Sequence, residues 1–413
     1  MKKSILIIGG GGREHAIGWK LKQSPEVGML YFAPGNAGTA AIGENIAIDA
    51  GNVSKLFRFA KKKKIDLTVV GTEAALAAGL VDRFARDGLA VFGPTKNAAR
   101  LETSKVWATQ FMKRHALPCP QSEVFDDVDA AISYAQHLGG NCVVKADGLC
   151  QGKGVFICST VLDAKKALWA IMVEKVFGPA GNRVVIQEKL TGREVSMMAF
   201  CDGKKAVPLI SASDYKRIFD GDRGLNTGGM GSVAPAKLEE KISKKIHRLL
   251  NKTVQSMKKE GFPYRGLLYA GIMLVGSEPY ILEYNCRFGD PETQVQLPLL
   301  TSDLFPILSS AAVGTLKPTQ VTWAKKSAVC VVAAAAGYPG AFSNGKIIKG
   351  LDTNMMVFHA GTISEGDIVR TNGGRVLGLV GVAQSRAGAR KKAYVGVKKI
   401  SFTGIQYRKD IAL

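Results

Sequence analysis

The chain has 413 residues, which is too many for one ordinary hydrophobic core, so two to four domains are expected. With 46% hydrophobic and 22% charged residues it has the composition of a soluble globular protein, and its apolar run at 328–336 falls far short of the roughly 20 residues of a membrane helix. A net charge of +22 is compatible with nucleic-acid binding, with anionic substrates or with a lysine-rich surface.

Two further features bear on the location and partners of the protein. The lysines lie mostly in helical runs, and no aromatic-rich RNA-binding signature or helix-turn-helix pattern accompanies them, so we interpret the charge as surface character and expect no specific nucleic-acid partner. The seven cysteines form no Cys-x-x-Cys pair, and residues 5–8 are too short an apolar core for a signal peptide. We therefore expect a cytoplasmic protein with reduced thiols and no membrane partner.

The chain opens with a strand, a glycine turn and a helix. Residues 4–8 are apolar, Gly9 to Gly12 follow, and a helical pattern begins near Arg13. Bare backbone N–H groups at a helix start can hold a phosphate, although a tight turn without a ligand fits the same glycines. Because Glu14 occupies the third glycine position, the stretch is not a dinucleotide fingerprint.

Strands and helices then alternate along the first hundred residues. Strands are predicted at 29–33, 46–48, 65–70 and 89–92, and a helix at 53–63. Alternation of this kind predicts an open parallel sheet, and such sheets bind ligands at the carboxyl ends of their strands. We therefore expect ligand contacts in the turns that follow these strands.

A second glycine-rich loop lies nearer the middle of the chain. Thr103 is predicted to cap a helix that begins near Lys105, and residues 122–190 alternate strand and helix in one compact unit. Within that unit a strand delivers Lys145, and a glycine loop with Lys153 follows. Such a loop can close over a triphosphate whose oxygens the lysines contact, whereas a hairpin on a basic surface is the alternative.

The next section holds one long loop and one long helix. Residues 213–232 contain Ser-Asp-Tyr-Lys-Arg and Asn-Thr-Gly-Gly-Met-Gly, and they are predicted as a single loop. Long ordered loops are usually functional, but a flexible surface excursion would show the same composition. Helices are predicted at 238–259 and, near the end of the chain, at 386–400.

An acid, an amide and a guanidinium follow one another at a spacing of two in a predicted hairpin. Residues 280–282 are predicted as its second strand, and side chains alternate faces along a strand. Glu283 and Asn285 therefore share a face, with Arg287 just beyond them. Hard oxygen ligands suit a divalent metal and the arginine fork suits a transferring phosphoryl group, while the alternative is a strand with polar residues on its wet side.

Residues 282–294 closely resemble the signature of the phosphoribosylamine–glycine ligase family, which are ATP-grasp enzymes of purine synthesis, with Tyr284 in the place of phenylalanine. The stretches Gly-Gly-Arg-Glu-His-Ala, Ala-Pro-Gly-Asn-Ala-Gly-Thr and Asn-Thr-Gly-Gly-Met-Gly are also similar to that family. Cys150 and Gln151 replace two small residues in the central glycine loop, and Gln187 stands where the family usually has glutamate. The resemblance covers essentially the whole chain.

The resemblance implies an α/β and α+β protein of three parts. Residues 1–103 would form an N-terminal substrate domain with an open parallel sheet. Residues 104–325 would form an ATP-grasp domain of two α+β subdomains, of which about 122–190 is the lid. Residues 326–413 would form a small α+β C-terminal domain.

The resemblance also implies a reaction. The family uses ATP to join glycine to 5-phosphoribosylamine through a glycyl phosphate, which gives glycinamide ribonucleotide, ADP and phosphate in de novo purine biosynthesis. ATP and either Mg²⁺ or Mn²⁺ are then the expected cofactors, with Glu283 and Asn285 as metal ligands. Residues 266–275 contain no Asp, so phosphate oxygens and water would complete the metal's shell.

The family's functional positions fall on this chain in three further groups. The resemblance implies a catalytic group of Arg287, Lys145, Asp214 and Lys216. The implied nucleotide contacts are Lys105, Lys145, Gly152, Lys153, Gly154, Glu188, Leu190 and Glu194. The implied substrate contacts are Gly11, Gly12, Arg13, Glu14, Gly35, Asn36, Ala37, Glu73, Asp290, Pro291 and Glu292.

Two other hypotheses stay open at this point. A different ATP-grasp carboxylate–amine ligase, or a carboxylase-like relative, would keep the metal strand and change the substrate. A basic nucleic-acid-binding protein built on an inherited ATP-grasp frame would bind nucleic acid in a salt-dependent way without turnover. We expect small-molecule substrates and a monomer or weak dimer.

Overall fold

A computed structural model describes residues 2–150, 153–351 and 354–413. Within these ranges, none of the helices combines the length and hydropathy that a membrane span requires. The first section contains β1 (Lys3–Gly9), α1 (Gly12–Leu21), β2 (Val27–Pro34), α2 (Ala37–Ala40), β3 (Glu44–Asn45), α3 (Val53–Lys63), β4 (Leu67–Val70), α4 (Glu73–Ala77), α5 (Leu80–Arg86) and β5 (Val91–Phe92). Its strands pair in parallel in the order β3-β2-β1-β4-β5, which confirms the predicted open parallel sheet.

Both faces of this sheet are covered by other parts of the protein. Consecutive side chains of β1 point to opposite faces, so Leu6 and Ile8 enter one apolar cluster while Ile5 and Ile7 enter another. A strand buried on both faces reads as a continuous apolar run, as the sequence of β1 does. The carboxyl ends of β1, β2 and β4 then meet at one edge, which places their glycine-containing turns side by side.

The second section contains α6 (Arg100–Thr103), α7 (Lys105–Arg114), β6 (Ser122–Phe125), α8 (Val128–His137), β7 (Cys142–Ala146), β8 (Val155–Ile157), α9 (Val161–Leu168) and β9 (Val184–Glu188), with a π-helical turn at Trp169–Val173 and a 3-10 turn at Gly178–Gly181. Its strands pair antiparallel in the order β6-β9-β7-β8. Helices α8 and α9 pack on this sheet around an apolar cluster of its own. We call residues 122–190 the lid.

Two predicted boundaries are wrong. The strand predicted at 46–48 is only two residues long and ends before that range, because the chain leaves the sheet after the N–H of Ile46 donates to the carbonyl of Phe32 at 2.7 Å. The cap of α7 is Ser104 rather than Thr103, which ends α6. The Ser104 hydroxyl accepts a hydrogen bond from a backbone N–H of the first turn at 3.1 Å, as a helix cap should.

The third section contains β10 (Arg193–Asp202), β11 (Ala206–Pro208), β12 (Ser213–Asp214), β13 (Arg217–Phe219), β14 (Arg223–Asn226), β15 (Gly231–Ala234), α10 (Glu240–Lys259), β16 (Arg265–Val275) and β17 (Glu278–Asn285). An antiparallel sheet runs in the order β11-β10-β16-β17, and β17 is the second strand of a hairpin with β16 as predicted. The pairing shifts register at Gly271, which leaves Leu282 as the extra residue of a bulge on β17.

The last section contains α11 (Thr293–Gln296), α12 (Leu304–Val313), β18 (Ser327–Ala334), β19 (Met356–His359), β20 (Thr362–Glu365), β21 (Ile368–Thr371), β22 (Arg375–Ala383) and α13 (Arg386–Lys399), with 3-10 turns at Leu297–Leu299 and Pro318–Gln320. Its main sheet runs in the order β12-β15-β18-β22-β19. The prediction of one loop at 213–232 is therefore wrong, because β12 and β15 join this sheet and β13 and β14 form a hairpin between them.

Candidate active site

Charged side chains from every section of the chain surround one cavity of about 350 Å³. It lies between α7, the lid, the hairpin β16–β17 and the C-terminal sheet. The charged residues that line it are Arg13, Glu73, Glu102, Lys105, Lys145, Asp214, Lys216, Glu283, Arg287, Asp290, Glu292 and Arg375. Most of these residues were singled out by sequence, and the fold brings them around one space of ligand size.

The acid and the amide of β17 face this cavity together. The Oδ1 of Asn285 accepts a hydrogen bond from the Nη2 of Arg287 at 3.1 Å. The Glu283 carboxylate accepts no hydrogen bond from residues 2–150, 153–351 or 354–413. Burial alone would raise the pKa of Glu283, but Lys216, the other two lysines of the cavity and Arg287 together lower it below its ordinary value. The carboxylate is therefore ionised and available to a ligand.

Arg287 is enclosed by two glutamates. Its Nη2 lies 3.2 Å from Oε1 of Glu102, and its Nε lies 3.6 Å from Oε2 of Glu73. Glu102 is itself fixed by the backbone N–H of Cys286, which donates to its Oε2 at 2.7 Å. Burial would lower the pKa of Arg287, but the two glutamates raise it above its ordinary value. The buried Nε makes no hydrogen bond within the described chain, so a fixed cation keeps a donor for an anion.

Lys145 is a buried lysine at the base of the central glycine loop. Its Nζ donates at 2.9 Å to the carbonyl of Leu282, the residue that the bulge leaves unpaired in β17. Burial lowers the pKa of Lys145 to about 8, although Glu283 opposes the shift. Lys105 reaches the same loop from α7, because its Nζ donates to the carbonyl of Gly148 at 3.0 Å. Two lysines from different elements therefore flank one end of the cavity.

Asp214 and Lys216 reach the cavity from the extended segment around β12. The Nζ of Lys216 lies 3.1 Å from Oε2 of Glu194. Burial raises the pKa of Asp214 to about 7, against the effect of Lys216 and with the help of Glu292 and Glu194. Burial would lower the pKa of Lys216, but Asp214 and Glu194 raise it well above its ordinary value. The acid can therefore exchange a proton near neutral pH while the lysine stays charged.

Glu292 is oriented by two buried hydroxyls. Its Oε1 accepts from the hydroxyl of Tyr269 at 2.8 Å and from Ser196 at 3.0 Å. The side chain is only 2% exposed. Because both hydrogen bonds fall on one oxygen, the carboxylate is held in one orientation and its second oxygen can accept from a ligand.

A second cavity of about 390 Å³ adjoins the first, and Asp290 and Arg375 line both. Its remaining walls are Gly10, Gly11, Pro34, Gly35, Asn36, Tyr338, Ala360, Gly361, Thr362 and Asn372. The Nη1 of Arg375 lies 3.4 Å from Oδ1 of Asp290 and donates to the carbonyl of Asp290 at 2.7 Å and to that of Gly228 at 2.6 Å. One ion pair therefore belongs to the wall between the two cavities.

The glycine turn after β1 is filled by side chains of the protein. Oε2 of Glu14 accepts from the N–H of Gly11 at 2.7 Å, and its Oε1 lies 2.6 Å from Nε of Arg13. The Nδ2 of Asn36 donates to the carbonyl of Gly10 at 2.9 Å, and its Oδ1 caps α2. The polar atoms of Glu14 and Asn36 thus build the turn, and what it presents to the second cavity is mainly its glycine backbone.

Several residues predicted as ligand contacts lie away from the first cavity. Glu188 accepts from the N–H of Gln121 at 2.7 Å, and the cavity is lined by Gln187 rather than by Glu188 or Leu190. Lys153 lines a third cavity, between the lid and the hairpin β13–β14. Glu194 contacts the first cavity only through its ion pair with Lys216, and Gly12, Ala37 and Pro291 are chain neighbours of lining residues. Gly152 lies outside the described residues.

Two charged residues of the site were missed by sequence. Arg375 opens β22 after a pair of glycines, which is a common surface arrangement and gave no reason to expect a cavity. Glu102 ends up against Cys286, from which it is separated by 184 residues in the sequence.

The oxygen donors at Glu283 and Asn285 fit a hard divalent cation. Among the described residues, no group of three His, Cys, Asp or Glu side chains could hold a metal ion by itself. A buried carboxylate that stays ionised and accepts no hydrogen bond is nevertheless the kind of ligand that Mg²⁺ and Mn²⁺ prefer, and an amide oxygen two residues away is a second. The remaining ligands of such an ion would be phosphate oxygens and water.

Three consecutive sections of the chain match the three domains of phosphoribosylglycinamide synthetase. Residues 3–102 match its N domain, residues 103–293 its ATP-grasp (A) domain and residues 328–413 its C domain. The chain belongs to the phosphoribosylglycinamide synthetase family. The match to the ATP-grasp domain of this synthetase confirms the resemblance that the motif at 282–294 indicated.

Three relatives match this chain along nearly its full length. The phosphoribosylamine–glycine ligase of Caldanaerobacter subterraneus is 46% identical over 412 residues, which are 99% of each chain. The trifunctional purine biosynthetic protein adenosine-3 of Gallus gallus is 46% identical over 421 residues, which cover 100% of this chain and 42% of that protein. The crystal structure of the Thermotoga maritima phosphoribosylamine–glycine ligase has a TM-score of 0.89 at 38% identity, and the match covers 98% of this chain and 99% of that one.

The synthetase fold confirms the predicted class, an N-terminal parallel sheet followed by an ATP-grasp domain and a small C-terminal domain. The domain limits at 103 and 325 remain predictions. Strands β12 and β15 belong to the ATP-grasp section by sequence, and they join the C-terminal sheet, in which β15 pairs with β18 and β12 pairs with β15.

Proposed function

We propose that this chain joins glycine to 5-phosphoribosylamine with the use of ATP, giving glycinamide ribonucleotide, ADP and phosphate in de novo purine biosynthesis. The observation that carries the proposal is the ionised Glu283 carboxylate, which lies among Lys105, Lys145, Lys216 and Arg287. A triphosphate with a divalent ion suits that arrangement, and the adjoining second cavity suits a phosphorylated sugar amine.

The proposed reaction proceeds in two transfers because a carboxylate is a poor electrophile. A carboxylate oxygen of glycine attacks the γ-phosphorus, the bond from that phosphorus to the bridging oxygen breaks, and ADP leaves. The amine nitrogen of phosphoribosylamine then attacks the acyl carbon, the bond between that carbon and the phosphate oxygen breaks, and the nitrogen loses a proton. Neither transfer requires a covalent nucleophile from the protein, so its work is positioning and charge compensation.

The cations of the first cavity would hold the phosphate groups. Lys105 and Lys145 act as point charges on phosphate oxygens, and the fork of Arg287 takes the transferring phosphoryl group. The proposed ligands Glu283 and Asn285 would hold Mg²⁺ or Mn²⁺, which compensates charge on the β and γ phosphates when bound. We retain Lys153, Gly154, Glu188 and Leu190 of the lid and Glu194 of β10 as proposed nucleotide contacts and add Gln187, which faces the cavity.

Glycine would bind in the first cavity between Lys216 and the two acids near it, Asp214 and Glu292. Lys216 carries the charge that suits the glycine carboxylate, while Asp214 and the oriented carboxylate of Glu292 suit its ammonium group. The glycine carboxylate would then lie beside Arg287 and the γ-phosphate. The closing glycine loops exclude water, which would otherwise hydrolyse the acyl phosphate.

Phosphoribosylamine would occupy the second cavity. The N–H groups of Gly11 and Gly35 already donate to Glu14 and to Gly9, so the sugar phosphate would lie against the remaining backbone of the glycine turn near the start of α1 and beside the guanidinium of Arg375. Arg375 and Asp290 stand between this cavity and the first, so the amine would enter the first cavity past that ion pair. We also propose a cytoplasmic location, which the seven free cysteines support, and a monomer or weak dimer, which light scattering would test.

The deciding experiment measures ADP release with each substrate omitted in turn. ATP, glycine and phosphoribosylamine together should give sustained release, and ATP and glycine with hydroxylamine in place of phosphoribosylamine should give glycyl hydroxamate, ADP and phosphate. Absence of turnover with the complete mixture contradicts the proposal. Turnover with another amino acid or with bicarbonate in place of glycine would point to a different ATP-grasp ligase or to a carboxylase.

Two substitutions test the metal strand. We expect Glu283→Gln and Asn285→Ala to abolish measurable turnover and to weaken Mn²⁺ binding, while the free energy of unfolding stays within about 1–2 kcal/mol of wild type. Glu278→Gln is the matched control, because Glu278 lies on the same strand but is exposed and pairs with Lys245. It should leave turnover unchanged. Wild-type turnover in either of the first two variants would remove the metal assignment.

A further inference from the structure

The segment that carries Asp214 and Lys216 presents its two faces to different parts of the molecule. Asp214 and Lys216 line the first cavity. Tyr215, between them, packs instead against the apolar core of the C-terminal domain, as the alternation of an extended chain requires. Its backbone is paired on both sides, since its N–H donates to the carbonyl of Gly231 at 2.9 Å and its carbonyl accepts from Met230 at 2.7 Å.

Residues 408–412, which we call the anchor segment, hold the side chain of Tyr215. The backbone N–H of Ala412 donates to the Tyr215 hydroxyl at 3.0 Å. The guanidinium carbon of Arg408 lies 5.1 Å from the centre of the Tyr215 ring. One end of the tyrosine is thereby tied by a hydrogen bond and its face is covered by a cation, so the ring has a defined position relative to the anchor segment.

Arg408 also ties the anchor segment to the hairpin that continues from Lys216. It is 1% exposed, its Nη2 lies 2.6 Å from Asp410, and its Nη1 lies 2.7 Å from Asp222. The same Nη1 donates to the carbonyl of Arg217 at 3.1 Å. A buried guanidinium that is shared between an acid of its own segment and groups of the hairpin fixes the distance between the two.

A second set of contacts runs from the anchor segment to the hairpin turn. The N–H of Lys409 donates to Asp220 at 2.7 Å, and Asp410 accepts from the N–H of Gly221 at 2.8 Å. The hairpin and Tyr215 therefore meet the anchor segment on both sides of Lys216. The contacts of Tyr215, Arg408 and Asp222 therefore lie directly behind the backbone from which Asp214 and Lys216 project, whereas the contacts of α13 with the anchor segment involve residues further away in the chain.

We propose that the anchor segment positions Asp214 and Lys216 from behind, which makes Tyr215 and Arg408 positioning residues for glycine. The inference rests on the proposed function, in which Asp214 and Lys216 bind glycine. Binding groups that shift by a fraction of an ångström lose much of their effect on the substrate they orient. The anchor contacts should therefore influence glycine much more than ATP.

Tyr394 provides a matched control for Tyr215. It lies on α13, its hydroxyl donates to the carbonyl of Arg408 at 2.8 Å and accepts from the N–H of Ile411 at 3.1 Å. Both tyrosine hydroxyls thus bind the anchor segment, and Tyr394 makes one hydrogen bond more. Only Tyr215 of these two is also the chain neighbour of Asp214 and Lys216. A purely structural role predicts the larger defect for Tyr394→Phe.

The test compares kinetics and melting temperature of Tyr215→Phe and Tyr394→Phe. We expect Tyr215→Phe to lower kcat/KM for glycine roughly threefold to tenfold with the KM for ATP within about twofold of wild type. We expect Tyr394→Phe to lower the melting temperature more and to leave both kinetic constants within about twofold. Asp222→Asn, an exposed partner of Arg408, should follow the pattern of Tyr215→Phe. Equal kinetic changes in the two tyrosine variants, or none in Tyr215→Phe, would overturn the proposal.

Amide hydrogen exchange at residues 214–217 supplies a readout that does not depend on activity. Faster exchange there in Tyr215→Phe, and not in Tyr394→Phe, supports the link between the anchor segment and the strand. Unchanged exchange in Tyr215→Phe overturns that link whatever the enzyme does. If the wild-type protein shows no turnover with glycine while exchange changes as expected, the proposed function fails and the mechanical link is supported.

Discussion

The turn after β1 and the loop between β7 and β8 are both rich in glycine, and they differ in what surrounds those glycines. In the turn, a Cβ added to Gly10 would meet the backbone oxygen of Gly35 at 2.5 Å. In the loop, a Cβ added to Gly154 would meet the side chain of Cys150 at 2.7 Å. The first glycine is required because two stretches of backbone touch, whereas the second lies against the Cβ and Sγ of a single residue of its own loop, Cys150.

The charges beside the two loops differ in the same way. Arg13, next to the turn, is already paired with Glu14 at 2.6 Å. Lys145, at the base of the loop, has the backbone carbonyl of Leu282 as its hydrogen-bond acceptor and a pKa that burial lowers to about 8. Glycine content alone therefore does not distinguish a turn beside an arginine that is already paired with an acid from a loop beside a lysine that can bind a ligand.

The largest expected effect is a difference in unfolding free energy between alanine substitutions at Gly10 and Gly154. We expect Gly10→Ala to lower the free energy of unfolding by about 3 kcal/mol or more, because backbone must move to admit the methyl group. Gly154→Ala should cost less, about 1–2 kcal/mol, since the methyl group meets the Cβ and Sγ of Cys150 rather than a second stretch of backbone, and Cys150 alone has to shift. Urea denaturation of both variants measures the difference. Similar losses in the two would break the comparison.

The next effect concerns the charge on Lys145. As pH rises above about 8 the lysine loses its proton, so kcat/KM for ATP should fall, approaching tenfold per pH unit. Lys145→Arg should remove this fall, because arginine stays protonated. The lysine pKa is lower in the folded protein than in the unfolded chain, so between these two values the unfolded chain binds more protons and stability rises with pH.

The expected rise of stability with pH provides the control for the pH experiment. Melting temperatures measured over the same range should not fall because of Lys145, so lost activity cannot be ascribed to unfolding at this residue. A flat wild-type profile up to about pH 9 would mean that Lys145 does not contact the triphosphate in its charged form.

The smallest expected effect concerns the attachment of the loop to α7. Ser104 caps α7 and donates to Oδ1 of Asp147 at 2.8 Å. Ser104→Ala should cost about 1 kcal/mol of unfolding free energy and raise the KM for ATP a few fold. Ser385→Ala, at the cap of α13, removes a cap of the same type far from the loop and should cost similar stability without changing that KM. Equal KM values for ATP in the two variants would contradict a role of the hydrogen bond between Ser104 and Asp147 in positioning the loop.

Local patterns in the sequence predict the parts of this protein that local physics determines. The period of two along a strand placed Glu283 and Asn285 in one cavity, because alternation holds wherever β17 pairs. The helix at 53–63 was predicted with its observed bounds, since Asn52 caps it and Lys64 adopts a left-handed conformation after it. The chemical roles of the site residues remain predictions until the variants above are measured.

The predictions from the sequence are wrong or incomplete where the structure of a segment depends on contacts with residues far away in the chain. Residues 213–232 look like a loop because their strands are two to four residues long and the segment is rich in glycine. They become strands because β15 pairs with the distant β18, β12 pairs with β15, and β13 and β14 pair with each other. Arg375 reaches Asp290 across 85 residues, and no periodicity in the sequence encodes that ion pair. Gln187 faces the cavity while Glu188 binds a backbone N–H of Gln121, and that choice depends on how β9 pairs with β6.

Strand β15 has a consequence for recombination among relatives of this protein. It is hydrogen-bonded to β12 on one side and to β18 on the other, so the sheet of the last domain contains two strands encoded before residue 235. In a chimera with its crossover near residue 325, β18 would come from one parent, whereas β15, which pairs with it, and β12, which pairs with β15, would come from the other. Crossovers placed before residue 213 would transfer the whole sheet as one inherited block.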